Sequence, residues 1–309
     1  MQGKLVTLIG GGGFLGRYLA QELLRREARV RIAQRDPKQA AFIRPLGPLG
    51  QTQFVAADLR RPETLARAVA GSDAVVNLVG ILKGDFEAVH VTGARHLAEA
   101  CARAGVGSFA QVSAIGADPA SPSAYGRSKG AGEAAVRAAH PAAMIFRPSI
   151  VFGREDQFLN RFAGMIAAAP AVPIVRGAAR FQPVYVADVA EAIARALADP
   201  ARAGETFELG GPDIFSMQQL LHWIARAIGA KPRFIDLPDA ASAAIARLGF
   251  LPGAPITWDQ WLMLQQDNVV APGAAGLEAL GVMPTPVASV APAWLVRFRR
   301  HGRFTPIEA

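Results

Sequence analysis

The sequence predicts an α/β protein with a doubly wound parallel sheet, and three observations carry this prediction. Short apolar runs alternate with longer segments rich in Ala, Leu, Glu and Arg. The runs lack the polar alternation of half-exposed strands, as is typical of strands covered by helices on both faces. A glycine-rich turn joins the first run to the first helical segment. The predicted strands are Leu5–Ile9, Val30–Gln34, Thr52–Ala56, Ala74–Leu78, Phe109–Ser113 and Met144–Arg147.

The pattern changes near residue 150, which predicts two domains. Residues 1–150 carry the alternating pattern, whereas residues 151–309 contain proline-rich turns and less regular elements. We therefore expect a smaller α/β lobe after residue 150, ending in a basic, aromatic tail over residues 294–309. Its clearest elements are a helix at Val186–Ala198, a strand at Thr206–Leu209 and a helix at Met217–Ile228.

Composition excludes several classes of protein. The chain has 309 residues, of which 51% are hydrophobic and 19% charged, so it can bury a core and is not disordered. The net charge of +8 favours an anionic partner. The single cysteine excludes a disulfide framework, and the scattered histidines predict no metal site. The apolar runs are too short for a transmembrane segment, and the start does not resemble a targeting peptide. The single cysteine fits a reducing compartment, which makes the cytoplasm the default location.

The glycine turn after the first strand predicts a dinucleotide-binding Rossmann domain. Gly10 suits a tight turn, Gly13 lets backbone amides approach a pyrophosphate, and Gly16 allows close packing of helix on strand. Phe14 and Leu15 open the helix between these glycines and are counted among the cofactor-binding residues. A plain glycine-rich turn is the alternative, but the strand before it and the helix after it favour nucleotide binding.

The end of the second strand favours NADP(H) over NAD(H). An NAD-binding protein usually has an acidic residue there for the ribose hydroxyls, whereas this chain has Arg35 with Lys38 just beyond. Both are candidates for the adenosine phosphate, and Arg17 is a third. Asp36 keeps NAD(H) possible, and the basic residues are also compatible with a solvated surface.

Two further turns lie on the expected cofactor path. Asp58, followed by Leu59, comes just after the third strand and is a candidate acceptor for the adenine amino group. A turn or cap role for Asp58 is the alternative, as is a bridging role between strands for Asn77. The segment that closes the fourth strand is predicted to lie beside the adenosine ribose and comprises Asn77, Leu78, Val79 and Gly80.

A tyrosine and a lysine four residues apart follow the fifth strand. This spacing puts Tyr125 and Lys129 on one face of a helix, near the carboxyl edge of the sheet. The ammonium group favours the phenolate, so Tyr125 is a candidate general acid or base, while Lys129 also holds a nicotinamide ribose. Ser113 is expected to hydrogen-bond the substrate oxygen. The spacing also occurs by chance on many helices, and it is the position after the fifth strand that favours the catalytic interpretation.

Together these motifs resemble the extended or atypical short-chain dehydrogenase/reductase superfamily over nearly the whole chain. The segment Arg147–Gly153 after the sixth strand belongs to the same resemblance. The resemblance implies that Pro148, Val151 and Gly153 line the nicotinamide side of the cofactor.

Within that superfamily the chain looks most like the NADPH-binding accessory subunits of respiratory complex I and their bacterial relatives. The segments Thr257–Gln260 and Asp267–Val270 and the basic end at Phe298–Phe304 carry this resemblance most specifically. It implies a tightly held NADPH with a mainly structural role and association with complex I. The alternatives are an active NADP(H)-dependent reductase, epimerase or dehydratase acting on a small carbonyl or sugar-like substrate, and a nucleotide-sensing interaction protein.

The tail allows competing interpretations of partner and location. Its arginines alternate with Trp294, Phe298 and Phe304, which suits an anionic membrane surface. A terminal helix that packs its apolar residues on the second lobe is the alternative. Nucleic-acid binding is not expected, since no recognition module accompanies the charge. The expected location is therefore cytoplasmic and peripheral to the inner membrane, or the matrix side of a mitochondrion for a processed chain.

Overall fold

Two units make up the protein, whose computed structural model describes residues 1–249 and 256–304. The first unit comprises Met1–Pro148, Val186–Leu209 and Pro272–Met283. The second comprises Ser149–Tyr185, Gly210–Ala271 and Pro284–Ala309.

The regular elements are numbered in chain order. The strands are β1 Leu5–Ile9, β2 Arg29–Gln34, β3 Thr52–Ala56, β4 Ala74–Asn77, β5 Ser108–Val112, β6 Met144–Pro148, β7 Val151–Phe152, β8 Ala171–Ile174, β9 Arg180–Phe181, β10 Val184–Tyr185, β11 Thr206–Leu209, β12 Phe215–Ser216 and β13 Arg233–Asp236. The α-helices are α1 Phe14–Arg25, α2 Pro62–Val69, α3 Gly93–Arg103, α4 Ala124–Ala139, α5 Leu159–Ala168, α6 Val186–Ala198, α7 Met217–Ile228, α8 Asp239–Arg247, α9 Trp258–Met263, α10 Val287–Val290 and α11 Pro292–Leu295. A 3₁₀ segment at Pro37–Leu46 follows β2, and a π-helical turn at Glu87–Thr92 leads into α3.

The first unit is built on a seven-stranded parallel sheet in the order β3-β2-β1-β4-β5-β6-β11. The strand order reverses between β1 and β4, and in such sheets ligands bind beyond the carboxyl ends of the strands at this point. Residues on β1, β4, β5 and β6 are almost entirely buried, since they form the middle of the sheet. This confirms the predicted doubly wound α/β fold.

The second unit has its own core. Helices α5 and α7 pack against each other, and α11 packs on α7. Buried residues of this core include Phe152, Leu159, Leu220 and Trp294. Its short strands pair in three two-stranded ladders, β10 with β7, β12 with β9 and β13 with β8.

The chain does not divide into two domains at the single boundary near residue 150 that the sequence predicts. Residues 186–209, expected in the second lobe, contribute α6 and β11 to the first unit. The physical reason is pairing, because β11 extends the parallel ladder beside β6 and α6 packs on α1. The helices Val186–Ala198 and Met217–Ile228 and the strand Thr206–Leu209 have the bounds that the sequence predicts.

Candidate functional site

The glycine loop closes tightly on the end of β1. Gly10 has a φ of +78°, a conformation that L side chains rarely adopt, and its N–H donates to the carbonyl of Ala33 at 2.7 Å. The N–H of Gly13 donates to the Gly10 carbonyl at 3.0 Å. A Cβ on Gly16 would lie only 2.3 Å from the carbonyl oxygen of Gly11. Helix α1 therefore begins directly against the loop, as the spacing of the glycines predicts.

The amino end of α1 suits an anionic group. Gly13 is the N-cap and, in the described part of the chain, no side chain caps the helix. Phe14, Leu15 and Gly16 form the first turn, whose N–H groups lack intrahelical acceptors and carry the positive end of the helix dipole. A pyrophosphate fits such a site.

Gln34, which sequence reasoning missed, connects this loop to the end of β2. Its Oε1 accepts a hydrogen bond from the N–H of Gly12 at 2.9 Å, and its Nε2 donates to the Asp36 carbonyl at 2.7 Å. The Asp36 carboxylate accepts from the N–H of Lys38 at 3.1 Å and thereby caps the 3₁₀ segment. The side chain of Asp36 is thus used locally, while Arg35 and Lys38 are exposed.

Arg17 lies over an aromatic ring rather than extending freely from α1. Its guanidinium carbon is 4.3 Å from the ring centre of Phe42, which belongs to the 3₁₀ segment. This cation–π contact fixes a positive charge between α1 and the segment that follows β2.

Asp58 has a partner in its own turn. Its carboxylate accepts from the Arg60 side chain, with Nη2 at 2.8 Å, and from the Arg60 N–H at 3.0 Å. The hydrogen bond from Arg60 lowers the pKa of Asp58, which is therefore ionised at neutral pH. Leu59 is buried where α3 begins, since a Cβ on Gly93 would lie 2.8 Å from its Cβ. The geometry shows the turn role for Asp58, and its adenine contact stays a prediction.

The turn after β4 joins the glycine loop to the tyrosine–lysine helix. Asn77 is 1% exposed, and its side chain donates to Gln111 at 2.9 Å and accepts from the N–H of Val79 at 3.2 Å. A Cβ on Gly10 would lie 2.9 Å from Cγ2 of Val79, and a Cβ on Gly80 would lie 3.4 Å from Nζ of Lys129. The N–H of Leu78 donates to the carbonyl of Ile9 at 2.9 Å, continuing the sheet. The side chain of Asn77 therefore bridges strands and shapes the turn.

Tyr125 and Lys129 face the same side at the start of α4. Ser123 caps this helix by accepting from the N–H of Gly126 at 3.2 Å. Lys129 is buried, its Nζ lies 5.8 Å from the ring centre of Tyr125, and it donates to the carbonyl of Val112 at 3.4 Å. Burial raises the pKa of Tyr125 to about 12 and lowers the pKa of Lys129 to about 8. At neutral pH the pair is a neutral phenol beside an ammonium group, not the phenolate that the ammonium was expected to favour, because burial dominates. This arrangement is suited to proton donation.

Ser113 carries a buried hydroxyl at the carboxyl end of β5. Its Oγ has no hydrogen-bond partner in residues 1–249 and 256–304, although the residue is only 5% exposed. Its N–H donates to the carbonyl of Phe146 at 2.6 Å, which holds it beside β6. A buried unpaired hydroxyl costs about 1–3 kcal/mol, so this group fits a ligand contact.

Sequence reasoning also missed the charged network behind Lys129. Glu133, one helical turn further along α4, forms a bidentate ion pair with Arg147 on β6. Arg147 also reaches Glu208 on β11 at 3.4 Å. The negative charge of Glu133 raises the pKa of Lys129, opposing the larger effect of burial. The i, i+4 spacing of Lys129 and Glu133 was the available signal.

The segment after β6 divides between the units. Pro148 ends β6 in the first unit, where its carbonyl accepts from the N–H of Ile115 at 3.1 Å. Val151 belongs to the second unit and pairs with Val184. In that unit the N–H of Gly153 donates to the buried carboxylate of Asp156 at 2.9 Å. Their place on the nicotinamide side stays a prediction.

The carboxyl-terminal tail does not form one amphipathic helix. Residues 292–298 make a short helix followed by a 3₁₀ turn, with Trp294 and Leu295 buried in the core of the second unit. Arg299 donates to the carbonyl of Ala227 at 3.1 Å. Packing on the second lobe is therefore the better interpretation for Trp294 and Phe298, which contact the protein's own core, whereas Phe304 is exposed. Residues 305–309 of the tail lie outside the described residues.

The segment Asp267–Val270 also has a structural role. Asp267 forms an ion pair with Arg180 at 2.8 Å, and the backbone of Asn268 pairs with β9 and the residue after it. The hydroxyl of Ser149 donates to the Asn268 side chain at 2.6 Å. This segment thus extends a ladder of the second unit.

The described residues contain neither a metal site nor a membrane-spanning helix. Outside the stretches 250–255 and 305–309, no three His, Cys, Asp or Glu side chains are grouped so as to hold a metal ion. No described helix has both the length and the apolar composition needed to cross a bilayer.

This fold, with its glycine loop and Tyr–Lys helix, defines a dinucleotide-binding protein of the short-chain dehydrogenase/reductase type. Residues 6–210 match the model of the NAD dependent epimerase/dehydratase family, and the chain belongs to that family.

Sequence comparison finds both mitochondrial and bacterial relatives. The chain is 38% identical over 299 residues to mitochondrial NADH dehydrogenase [ubiquinone] 1 alpha subcomplex subunit 9 of Mus musculus, covering 93% of this chain and 78% of that protein. It is 33% identical over 239 residues to a ceramide reductase of Caulobacter vibrioides, covering 76% of this chain and 74% of that protein. Among solved structures, the NADPH-dependent quinone oxidoreductase of Escherichia coli in complex with NADPH has the same fold, with a TM-score of 0.77, 19% identity and coverage of 94% of this chain and 99% of that one.

Proposed function

We propose that this chain is an NADP(H)-binding accessory or assembly subunit of respiratory complex I, with little or no turnover. The observation that carries the proposal is the 38% identity to the mouse subunit across 93% of this chain. At 93% of this chain, the alignment includes most of the second unit as well as the nucleotide-binding residues. The proposed location follows from the partner: peripheral to the inner membrane, on the cytoplasmic side in a bacterium or the matrix side in a mitochondrion.

The residues of the first unit fit the cofactor. The first-turn amides of α1 would bind the pyrophosphate, and Lys129 would hold the nicotinamide ribose. The unpaired hydroxyl of Ser113 is available to the nicotinamide end or to a bound carbonyl. The side chain of Asp58 retains acceptor capacity for adenine beside Arg60.

A preference for NADP(H) is supported at the end of β2. Arg35 and Lys38 are exposed and positively charged, while the Asp36 carboxylate is engaged in capping. We expect Arg35→Ala to weaken NADPH binding at least about tenfold while changing NADH binding little, since the two cofactors differ by one phosphate. Arg25→Ala, at an exposed site at the other end of α1, is the control. Equal losses for both cofactors would remove the assignment of Arg35.

Association with complex I is tested by native electrophoresis of mildly solubilised respiratory membranes. The tagged chain should co-migrate with NADH dehydrogenase activity and leave the membranes when complex I is absent. Retention on membranes without complex I would instead favour lipid binding. Because Trp294 and Leu295 are core residues, charge reversal at the exposed Arg297 and Arg300 tests the tail better than truncation does.

An active NADP(H)-dependent reductase is the second candidate. The intact pair of Tyr125 and Lys129 with Ser113 favours it, as does the likeness to the ceramide reductase. The cofactor would supply a hydride, while Tyr125 would donate the proton to the carbonyl oxygen. NADPH oxidation by a carbonyl substrate, abolished by Tyr125→Phe with cofactor binding intact, would establish this function in place of the structural one.

A further inference from the structure

A histidine lies beneath the tyrosine–lysine pair at the one π-helical turn of the described chain. Glu87–Thr92 forms this turn immediately before α3, and His90 within it is 3% exposed. π-helical turns are rare and often occur at functional sites. From sequence alone His90 is indistinguishable from an ordinary helical residue.

Three hydrogen bonds form a chain from Ile81 through His90 and Ser128 to Tyr125, and each donor points toward Tyr125. The N–H of Ile81 donates to its Nε2 at 3.0 Å, so Nε2 carries no proton. In the neutral ring Nδ1 then carries the proton and donates to Oγ of Ser128 at 2.8 Å. The Ser128 hydroxyl in turn donates to the carbonyl of Tyr125 at 2.8 Å. We call these three bonds the His90 chain; it begins in the turn after β4 and ends at Tyr125.

Packing holds the ring and the helix in the same arrangement. The His90 ring stacks on Phe86 with centroids 5.4 Å apart and meets the Tyr125 ring edge-on at 5.6 Å. A Cβ on Gly132 would lie 2.1 Å from the His90 carbonyl oxygen, so α4 rests directly on the backbone of the π turn. His90 itself and the Tyr125 end of the His90 chain are therefore held by close contact.

We infer that His90 is a positioning residue, which couples the turn carrying Gly80 to the tyrosine–lysine pair. Ile81 directly follows Gly80, and the Cβ position of Gly80 is 3.4 Å from Nζ of Lys129. A shift of this turn would therefore move both the Lys129 ammonium and the Tyr125 backbone. The inference rests on the proposed nucleotide binding, because positioning of Lys129 matters only where Lys129 holds a ribose.

The charge state of the ring agrees with this role. Burial, and secondarily the charge of Lys129, lowers the pKa of His90 to about 3. A protonated ring would lose the bond from Ile81 and would put two cations side by side. The neutral ring with its proton on Nδ1 thus persists throughout the range in which a cofactor would bind.

The test is a double-mutant cycle read by calorimetric titration with NADPH. His90→Phe keeps the ring but removes both hydrogen bonds, and Ser128→Ala breaks the chain at its next step. Each should weaken NADPH binding, His90→Phe by about tenfold, and the double variant should lose no more than His90→Phe alone. His96→Phe, on the same helical segment but outside the chain, is the control. Unchanged NADPH affinity in a folded His90→Phe protein, or fully additive losses, would overturn the inference.

A second measurement separates this inference from the proposed function. Long-range ¹H–¹⁵N spectra of the nucleotide-free protein should show His90 protonated on Nδ1, with no titration between pH 5 and 8. Protonation on Nε2, or an ordinary titration, would overturn the His90 chain whether or not NADPH binds. Failure of the wild-type protein to bind NADPH would instead overturn the proposed function.

Discussion

The carboxylate of Glu133 forms a bidentate ion pair with the guanidinium of Arg147, with Nε at 3.0 Å and Nη2 at 2.6 Å. Glu133 lies one turn beyond Lys129 on α4, and Arg147 lies on β6. The pair thus joins the helix that carries the candidate catalytic residues to the central sheet. It also keeps a negative charge near the buried ammonium of Lys129.

Removing this carboxylate should destabilise the protein. Glu133→Gln leaves Arg147 with the longer contact to Glu208 as its only ion pair, and we expect the free energy of unfolding to fall by about 2 kcal/mol. The pKa of Lys129 should fall below about 8, because Glu133 raises it. Urea unfolding measures the first effect. Glu99→Gln, in the more exposed pairs with Arg95 and Arg103, should change stability by less than about 0.5 kcal/mol. Equal effects of the two variants would contradict this account of the Glu133 pair.

The buried charge of Lys129 should lower the free energy of unfolding. Burial holds its pKa at about 8, below the value of about 10.4 in an unfolded chain. At pH 7 the folded protein carries a charge that burial disfavours, so Lys129→Met should raise the free energy of unfolding by about 2 kcal/mol. Lys83→Met, at an exposed site, should have little effect.

The pH dependence of this difference has a definite sign. Between pH 8 and 10 the unfolded chain binds a proton at Lys129 that the folded protein has released, so the stability of the wild type rises with pH. The advantage of Lys129→Met should therefore shrink over that range. An advantage that stays constant or grows would contradict the lowered pKa.

Alanine substitutions at two glycines of the loop should distinguish an effect on folding from an effect on nucleotide binding. Gly16→Ala puts a Cβ 2.3 Å from a backbone oxygen, so it should lower the free energy of unfolding by about 1–3 kcal/mol. At Gly13 the nearest atom would be the Gly10 carbonyl oxygen at 3.2 Å and φ is −77°, so alanine needs only a small shift of that carbonyl in the nucleotide-free fold. Gly13→Ala should lower the melting temperature much less than Gly16→Ala does, but should weaken NADPH binding strongly. Normal binding by a stable Gly13→Ala protein would contradict the role of this loop.

The unpaired hydroxyl of Ser113 predicts a gain in stability on its removal. Ser113→Ala should raise the free energy of unfolding by about 1 kcal/mol, since a buried oxygen without a partner is replaced by hydrogen. Ser128→Ala is the matched control and should lower it, because that hydroxyl is hydrogen-bonded on both sides. A loss of stability in Ser113→Ala, comparable to that in Ser128→Ala, would show that Ser113 has a structural partner.

The strands and the glycine loop could be predicted because local signals determine them. Leu5–Ile9 is apolar except for Thr7 and is followed at once by glycine, and Gly10 adopts the positive φ that only glycine adopts readily. Tyr125 and Lys129 share a face because they are four residues apart on a helix. The sequence predicted these features without knowledge of distant contacts.

Long-range contacts explain what sequence reasoning missed. Nothing within Thr206–Leu209 indicates that it pairs with β6, about sixty residues earlier in the chain. Likewise, the role of His90 depends on Ile81 and Ser128, which lie in other elements. The apolar residues of the tail, Trp294 and Leu295, are as compatible with a lipid surface as with a protein core until the second unit is seen around them.

The central claim, that this chain holds NADP(H) in its first unit, is tested most directly by native mass spectrometry of the gently purified protein. We expect one NADP(H) per chain in the wild type and none in Gly13→Ala, with NADPH restored to the wild type after removal and re-addition. A wild-type protein that carries no nucleotide and takes up neither NADPH nor NADH would contradict the account.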